Sequence, residues 1–398
     1  MRYLFCPLAS HGYVYPAIGI ARELRARGHS IAFATDGSFG AALASQGFER
    51  IPRGSRDGMS FQVTAWGETH GLEWQIKHVR HAVETFEPDA ILASQLAWGC
   101  VAAAHAAEIP VSILGFATHI FPHSDAMLAN PSNPREHLHK WRYEGMMNTY
   151  AQACAIAGIQ PHPSVSIDES PLLGEATLLQ CVPEFLGNLP PLPSRVQCIG
   201  SCVWEPPESD AELTSWLEQS PRDWPLLYVQ HGRAFAKESF WPYLIQCLAD
   251  RPVRVVAVTS RMDKPVGSPP RNFFVRHHIP QGQILPHARA IICNATSTAV
   301  LGGLTHGLPM LLVPGGSSQP ELAEQCEMAG ISITLDHKLL DGAMVSGAVD
   351  RALEDSAMRE NSCKIAAAFA RICGFSRAAD ALISLASREG KAQPACVS

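Results

Sequence analysis

The chain has 398 residues, of which 46% are hydrophobic and 17% are charged, and its formal net charge is -6. This composition excludes an intrinsically disordered protein, and the length predicts two or three domains rather than one core. The mild acidity and the lack of a Lys/Arg run argue against a nucleic-acid partner.

The arrangement of the cysteines and of the apolar residues predicts where in the cell the protein is found. The 12 cysteines form no Cys-x-x-Cys pair, and the closest two, Cys198 and Cys202, lack the His or Cys neighbours of a zinc site. No apolar run approaches the roughly 20 residues of a membrane span, and the first strand begins without a signal peptide. We therefore expect reduced thiols, no membrane association and a cytoplasmic location.

The first fifty residues predict a βαβ unit. Residues 2–6 form a buried strand, residues 7–15 a loop, and Pro16 opens a helix that Gly28 ends. A second strand follows over residues 30–35. Since no Gly-x-Gly-x-x-Gly is present, the usual dinucleotide fingerprint is absent.

Helices and strands continue to alternate after this unit. The predicted elements are helices over residues 72–86 and 97–108 and strands over residues 88–94 and 110–116. The next segment, residues 118–150, is rich in histidine, proline and aromatic residues. Its His137-x-His139 pair would suit a metal site on a strand or loop, but no acidic motif accompanies it. We therefore favour ordinary helix and loop residues.

A proline-rich segment over residues 185–207 divides the chain into two halves. Its prolines argue against a helix, so we predict an extended connector and a domain boundary there. A second α/β pattern follows. Its predicted elements are a helix from residue 212, strands over residues 225–230, 253–258 and 272–276, a helix over residues 240–249, and helices over residues 320–329, 339–354, 358–372 and 376–388.

Residues 284–321 hold the most informative pattern. A buried strand over residues 290–293 ends in Asn-Ala-Thr-Ser-Thr, which opens a helix that Gly307 stops. A second apolar strand then runs into a Pro-Gly-Gly loop. The free N–H groups and positive dipole end of such a helix start suit an anion such as a diphosphate. The alternative is that the hydroxyl-rich turn is only an N-cap.

This spacing resembles the nucleotide-sugar signature of family 1 glycosyltransferases. In that family the helix is followed by Gly-x-Pro, an apolar strand ending in Pro, and an acidic residue before Gln. Gly307, Pro309, Pro314 and Gln319 stand at the matching positions. Residues 12–16 are similar to the family's Gly-His-x-x-Pro loop, and Arg-Gly-His closes the first helix in both.

The resemblance implies a GT-B architecture, in which two Rossmann-like α/β domains face each other across a cleft that holds the site. It assigns residues 1–205 to acceptor binding, residues 206–375 to nucleotide-sugar binding, and residues 376–398 to a helix that crosses back to the first domain. No cofactor and no metal are implied beyond a UDP- or dTDP-sugar co-substrate. The implied partners are this nucleotide sugar and a small-molecule acceptor, and a homodimer is compatible with the sequence.

The resemblance also gives a candidate catalytic base. The family's catalytic His position holds Tyr13, and His11 lies just upstream on the same loop. His11 is the preferred base because its ordinary pKa suits the task, while Tyr13 or a loop His without a role are the alternatives. Ser94 ends the strand where many relatives place an Asp that orients the base.

Binding residues follow from the matched positions. The implied donor-binding residues are Gly232, Arg233, Ile279, Pro280, Gln281, Asn294, Thr296, Ser297, Thr298, Ser318 and Gln319. The backbone near Ile279 and Gln281 would meet the nucleobase, and Arg233 would donate to the diphosphate. The acceptor-binding residues are Tyr13, Trp66, Phe116, His119 and Trp141.

Four positions of the donor region depart from the family pattern. Asn294 replaces a diphosphate-binding His, and Ala295 and Thr296 replace two glycines. Ser318 replaces the acid that accepts hydrogen bonds from sugar hydroxyls, although Glu321 follows closely. We therefore predict a deoxy or otherwise modified sugar.

The resemblance implies an inverting, metal-independent glycosyltransferase that acts on a bacterial natural product such as an antibiotic. Two alternatives fit the same chain. A GT-B-fold nucleotide-sugar epimerase would need carboxylates in the cleft. A catalytically degenerate protein would bind a nucleotide sugar, or activate a partner, without turnover.

Overall fold

The computed structural model describes residues 1–54, 60–163, 166–231, 240–259 and 269–389. They form two compact α/β units. Unit 1 comprises Met1–Cys181, Asn188–Trp204 and the chain from Ile372 onward, and unit 2 comprises Val182–Gly187 and Glu205–Arg371. None of the described helices is both long enough and apolar enough to cross a membrane.

This division differs from the predicted domains in two short segments. Val182–Gly187 groups with unit 2, although it lies within the predicted acceptor domain. The chain returns to unit 1 at Ile372 instead of at residue 376. Proline content and helix starts mark where a chain turns, but they do not indicate which core a short segment joins.

Unit 1 alternates strands and helices along the chain. In order these are β1 (Arg2–Cys6), α1 (His11–Ala26), β2 (Ser30–Phe33), α2 (Gly40–Ser45), β3 (Glu49–Arg50), α3 (Thr69–Phe86), β4 (Ala90–Ser94), α4 (Trp98–Ala106), β5 (Val111–Leu114), α5 (Asp125–Ala129), α6 (Pro134–Ala157), β6 (Ala176–Leu179) and, after helix α7 (Pro183–Leu186) of unit 2, β7 (Val196–Cys198). The predicted alternation up to residue 116 is confirmed.

Seven parallel strands of unit 1 pair in the order β3-β2-β1-β4-β5-β6-β7. Strands β4 and β5 are buried along their whole length, as expected for parallel strands covered by helices on both faces. Cys6 pairs with Ala93, so β1 and β4 finish at the same edge. The strand order reverses between these two strands, and α/β folds bind ligands at such switch points.

Helix α1 begins earlier than predicted. It starts at His11, directly after the extended Ser10, and Pro16 lies inside the helix instead of opening it. Pro16 has no N–H with which to bond the carbonyl of Gly12, so the helix lacks one of its internal hydrogen bonds there. Continuous apolar residues begin only at Val14, so the first turn carries no periodic signal.

The predicted extended connector is more ordered than its prolines suggest. It contains the second half of α7 and all of β7, which pairs with β6 through Val196 and Thr177. Strand β6 itself was not predicted. Elements of three or four residues span about one helical turn or two strand repeats, which is too little for a periodic pattern.

The turn before β6 is held tightly to β5. Glu175 donates its amide to the Val111 carbonyl at 3.0 Å, and the Val111 amide donates to Glu175 Oε2 at 2.7 Å. Gly174 has φ +57 and ψ -158, a conformation that only glycine adopts readily. A β-carbon on Gly174 would stand 2.3 Å from the Val111 carbonyl oxygen. The entry of β6 therefore requires a residue without a side chain.

Unit 2 continues the alternation of helices and strands. Its elements are α8 (Ala211–Gln219), β8 (Leu226–Gln230), α9 (Trp241–Leu248), β9 (Arg254–Val258), β10 (Phe273–Arg276), β11 (Ala290–Cys293), α10 (Ser297–His306), β12 (Met310–Leu312), α11 (Gln319–Met328), β13 (Ser332–Thr334), α12 (Gly342–Glu354) and α13 (Ser356–Ala370). Helix α14 (Gly374–Glu389) then belongs to unit 1.

Six parallel strands of unit 2 pair in the order β10-β9-β8-β11-β12-β13. Cys293 pairs with Gln230, so the switch point lies between the carboxyl ends of β8 and β11. Gly307 ends α10 with φ +62, and Gly330 follows α11 with φ +66. The predicted helix stop at Gly307 is confirmed, and Gly330 ends the next helix in the same way, because the left-handed conformation there suits a residue without a β-carbon.

Helix α14 packs against α1 inside unit 1. The Phe375 ring lies over Gly19, where a β-carbon would come within 2.1 Å of Cε1. Arg27 donates to Asp380 at 2.5 Å and to the Ser376 hydroxyl at 2.7 Å. The apolar face of α14 joins the unit 1 core through fully buried Ala378, Ala379 and Leu382. This last helix is therefore part of the first unit's interior.

Candidate functional site

The carboxyl edge of the unit 1 sheet holds the loop that leads into α1. The Leu8 amide donates to Ser94 Oγ at 2.9 Å, and Thr35 Oγ1 donates to the Pro7 carbonyl at 2.8 Å. Ser94, at the position where the family pattern has an Asp, thus holds this loop. Residues at the ends of β2 and β4 fix the place where α1 starts.

His11 is the first residue of α1 and is half-buried. Its ring centroid lies 4.8 Å from that of Tyr15 and 5.5 Å from that of Phe39. These two aromatic contacts and the helix start hold the imidazole at the switch-point edge of the sheet. A defined position is what a general base requires, and the catalytic role stays a prediction.

Tyr13 packs its ring on Phe116, with 5.8 Å between the centroids. Burial raises the pKa of its phenol well above the usual range, so the hydroxyl keeps its proton at neutral pH. The phenol can donate a hydrogen bond but is a poor general base. Tyr13 and Phe116 are two predicted acceptor residues that the structure brings into contact.

The other predicted acceptor residues differ in exposure. Trp66 is half-buried, Trp141 on α6 is 68% exposed, and His119 is 3% exposed. Their contact with an acceptor stays a prediction for all three.

Three histidines form a buried cluster in unit 1. The ring centroids of His119 and His123 are 5.1 Å apart, and those of His123 and His139 are 6.3 Å apart with nearly parallel planes. Burial lowers the pKa of all three, that of His139 to about 3. The imidazoles are therefore neutral at neutral pH.

His137 and His139 do not form the ligand pair that a strand or loop would allow. Both lie on α6, where residues two apart point in different directions, and His137 is exposed while His139 is fully buried. Across the described ranges, no group of three or more His, Cys, Asp or Glu is arranged to hold a metal ion.

Replacing His139 with glutamine is expected to make unfolding less sensitive to acid. The pKa of His139 is about 3 in the folded protein and 6.5 ordinarily, so unfolding takes up a proton between these values. The stability contribution is complete above the ordinary pKa and is lost as the pH falls. At about pH 4.5 the loss is about 2 to 3 kcal/mol. Urea unfolding near pH 7 and near pH 4.5 measures it.

The matched control is His137→Gln, which changes an exposed histidine on the same helix. It should lose as much stability on acidification as the wild type, whereas His139→Gln should lose less. Equal acid losses in His139→Gln and the wild type would contradict the assignment of a neutral, buried His139.

In unit 2, the predicted diphosphate turn lies at the switch point. Asn294 follows β11 and is 2% exposed, and His231 follows β8, the neighbouring strand. Thr296 is the N-cap of α10, but its own side chain makes no capping hydrogen bond. Helix α10 has 10 residues, so its dipole is well developed.

The N–H groups of the turn divide into two sets. The first set, the amides of Ala295 and Thr296, points at the sulfur of Cys293 and acts to lower the pKa of its thiol. Burial has the larger effect and raises that pKa to about 12. The next amides, in the first turn of α10, have no acceptor within the helix. Ser297 and Thr298, both half-buried, are therefore the residues best placed to donate backbone N–H groups to an anion.

Ala295 carries backbone strain at this turn. It is 1% exposed and has φ +55, the left-handed region that favours glycine. The conformation costs an alanine about 1 kcal/mol. Ala295 stands where the family pattern has a glycine, the residue that this backbone conformation favours.

Ala295→Gly is expected to leave the free energy of unfolding unchanged or to raise it by up to about 1 kcal/mol, because relief of strain offsets the flexibility of glycine. Ala323→Gly is the control, since Ala323 is also 1% exposed but lies inside α11. It should cost about 1 kcal/mol or more. Urea unfolding of both variants tests the prediction, which fails if Ala295→Gly is as destabilising as Ala323→Gly.

The predicted nucleobase loop is anchored to α10. Ile279 is 3% exposed and Gln281 is 7% exposed. The Gln281 side chain donates through Nε2 to the Thr298 carbonyl at 3.3 Å, and its Oε1 lies 3.0 Å from the position of a β-carbon on Gly302. Gln281 thus uses its side chain to join the loop to the helix.

The predicted sugar-binding residues lie just before and at the start of α11. Gln319 is 4% exposed, and its Oε1 accepts from the Gly315 amide at 2.8 Å and the Gly316 amide at 3.3 Å. This oxygen therefore shapes the Pro-Gly-Gly loop. Ser318 is 9% exposed, and its side chain does not cap the helix.

Two predicted donor residues, Gly232 and Arg233, lie outside the described residues. Sequence reasoning also missed one residue of this region, Glu205, whose carboxylate holds the nucleobase loop. An acid at the end of a proline-rich connector belongs to no motif and no periodic pattern, so the sequence offers no signal for it.

The chain resembles known proteins in part of its sequence, over nearly its full length and in its fold. Residues 248–374 match the family model of the erythromycin biosynthesis protein CIII-like C-terminal domain. The chain is 21% identical over 407 residues to 4'-demethylrebeccamycin synthase of Lentzea aerocolonigenes, covering 92% of this chain and 94% of that protein. It is 23% identical over 410 residues to oleandomycin glycosyltransferase of Streptomyces antibioticus, covering 97% and 91%.

The fold also matches a solved structure of the glycosyltransferase VinC in complex with dTDP, with a TM-score of 0.68, 17% identity, and coverage of 98% of this chain and 100% of that chain. With two parallel-sheet units and a ligand edge in each, the protein is a glycosyltransferase of the GT-B fold. Within that class it is similar to family 1 enzymes of the bacterial natural-product type.

Proposed function

We propose that this enzyme transfers a sugar from a nucleoside-diphosphate sugar to a hydroxyl or amine of a small natural-product acceptor, with inversion at the anomeric carbon. The observation that carries the proposal is the start of α10 at the switch point of unit 2. The side chain of its N-cap residue, Thr296, does not cap the first-turn N–H groups, and a diphosphate is an anion that suits such groups.

The reaction is a single displacement. The acceptor oxygen or nitrogen attacks the anomeric carbon from the face opposite the leaving group, and His11 accepts the acceptor's proton. The bond from the anomeric carbon to the diphosphate oxygen breaks, and the nucleoside diphosphate leaves. The N–H groups of Ser297 and Thr298, with Arg233 as a further donor, stabilise the charge on the departing diphosphate without a metal.

The sugar is proposed to be a deoxy or otherwise modified one. Ser318 offers a hydroxyl where the family pattern has a carboxylate, and Gln319 already uses its carbonyl oxygen on the Pro-Gly-Gly loop. Both features reduce the number of acceptors available to sugar hydroxyls. A sugar with fewer hydroxyls leaves fewer hydrogen-bond donors without an acceptor in such a site.

The carrier is proposed to be dTDP or UDP, because the VinC structure contains dTDP and the signature is that of nucleotide-sugar enzymes. Thermal unfolding of the purified protein with UDP, dTDP or GDP tests this. A ligand that binds only the folded state adds to the free energy of unfolding by mass action, by about 2.7 kcal/mol at a hundredfold excess over the dissociation constant. The melting temperature rises as a result. We expect a clear rise with dTDP or UDP and a smaller one with GDP.

A melting temperature unchanged by all three diphosphates would contradict the donor site and would favour a degenerate protein. A rise with GDP alone would contradict the proposed carrier while leaving the diphosphate site in place. The variant Thr298→Pro removes one first-turn N–H group, and loss of the rise in that variant would locate the site at α10.

A further inference from the structure

Glu205, the first residue of the main segment of unit 2, binds the loop that precedes β11. Its Oε1 accepts from the Gln281 amide at 3.0 Å, and its Oε2 accepts from the Gly282 amide at 2.9 Å. Each carboxylate oxygen thus accepts a hydrogen bond from one of two successive backbone N–H groups. Hydrogen bonds to a charged acceptor are about twice as strong as neutral ones.

The same loop is held from its other side by α10. Gln281 donates from Nε2 to the Thr298 carbonyl in the first turn of that helix. Gly302 leaves room for the Gln281 side chain, since a β-carbon there would lie 3.0 Å from Oε1. The loop is therefore clamped between a carboxylate and the helix start that is proposed to hold the diphosphate.

The residues after Glu205 add further contacts to this part of unit 2. Asp210 and Gln283 are joined twice, by the Asp210 amide to Gln283 Oε1 at 2.9 Å and by Gln283 Nε2 to the Asp210 carbonyl at 3.0 Å. Arg276 forms ion pairs with Asp210 and Glu212. The segment from Glu205 to Glu212 thus stays attached to the loop without Glu205, so removing this one carboxylate changes the loop locally.

We infer that Glu205 is a positioning residue for the donor nucleotide: it sets the backbone of residues 279–282 so that the nucleobase and the diphosphate are bound at a fixed separation. The inference rests on the proposed function, in which this backbone meets the base and α10 meets the diphosphate. Without the carboxylate, two amides lose their acceptor and the turn relaxes, while the α10 start keeps its N–H groups. Affinity for the base should then fall, and the differences in affinity between one nucleobase and another should become smaller.

The test compares Glu205→Ala, Glu205→Gln and Glu208→Ala by calorimetric titration with dTDP, UDP and GDP. Glu208 is an exposed acid three residues along the same segment and serves as the control. We expect Glu205→Ala to weaken the best-binding diphosphate by about tenfold and to reduce its preference over GDP. Glu205→Gln, which keeps one acceptor oxygen, should recover part of the loss, and Glu208→Ala should match the wild type.

Three outcomes would contradict either this inference or the proposed function. Equal dissociation constants for Glu205→Ala and the wild type would overturn it. Equal weakening of all three diphosphates, with a lower melting temperature of the free protein, would also overturn it by reducing Glu205 to a general stabilising residue. A wild type that binds none of the diphosphates would instead overturn the proposed function, on which the inference depends.

Discussion

Replacing His11 with alanine is expected to lower the turnover of sugar transfer by about a hundredfold to a thousandfold, because general-base catalysis contributes on this scale. The dissociation constant for the nucleoside diphosphate should stay within about twofold, since the diphosphate site is assigned to α10. The side chain itself packs on Tyr15 and Phe39 at the start of α1. Turnover with an acceptor that the wild type glycosylates and calorimetric titration of dTDP measure the two quantities.

Tyr13→Phe is the matched variant for this experiment. It keeps the ring that packs on Phe116 and removes only a hydroxyl that burial holds protonated. We expect it to retain most of the turnover. Full activity in His11→Ala would remove His11 from the mechanism, and a hundredfold loss in Tyr13→Phe would transfer the role of base to the phenol.

Gly174→Ala is expected to lower the free energy of unfolding by about 4 kcal/mol, the largest stability effect that we predict. Two costs combine there. The backbone has φ +57 and ψ -158, and the new β-carbon would stand 2.3 Å from the Val111 carbonyl oxygen. Because that oxygen is main chain and accepts from the Glu175 amide, it cannot move without breaking the contact between the β6 turn and β5. Urea unfolding monitored by circular dichroism measures the loss.

Gly158→Ala separates the two costs. Gly158 also has a positive φ, +77, but a β-carbon there would meet nothing within 4 Å. It should cost only the left-handed strain of about 1 kcal/mol. If the two variants were equally destabilising, the contact with Val111 would contribute nothing, and the close approach at the β6 entry would have no energetic role.

Much of the architecture follows from local sequence signals. The central strands, such as β4, β5 and β11, are short apolar runs buried on both faces, and Gly307 and Gly330 stop helices by taking positive φ. The position of the candidate sites follows as well, because the ends of parallel strands meet at one edge of a sheet. Alternating parallel strands and helices allow few arrangements, so these signals were sufficient to predict two α/β domains.

The side-chain contacts of the donor region could not be predicted in this way. Gln281 and Gln319 stand at family positions, yet Gln281 turns toward α10 and Gln319 toward its own loop. Such orientations depend on neighbours that are remote in sequence: the Glu205 carboxylate, for example, acts on an amide 76 residues away. A motif fixes the residue type and the backbone path, but tertiary packing decides which atoms are used.

The histidine-rich segment shows the same limit. Three of its histidines gather in the interior because α6 turns His139 inward, whereas His137 on the same helix faces solvent. The rotation of α6 about its axis is set by the layer beneath it. The sequence showed that the histidines were numerous, and only the fold shows which of them lose contact with water.

The docking of α14 has a consequence for how the chain is made. The first unit needs Ala378, Ala379 and Leu382 to complete its core, yet these residues emerge from the ribosome after the whole of unit 2. During synthesis the face of α1 around Gly19 must therefore wait uncovered while the second unit folds. A gene fragment that stops after residue 204 would encode all seven strands of the first sheet but leave this apolar face open, so soluble expression of unit 1 requires the α14 segment to be supplied with it.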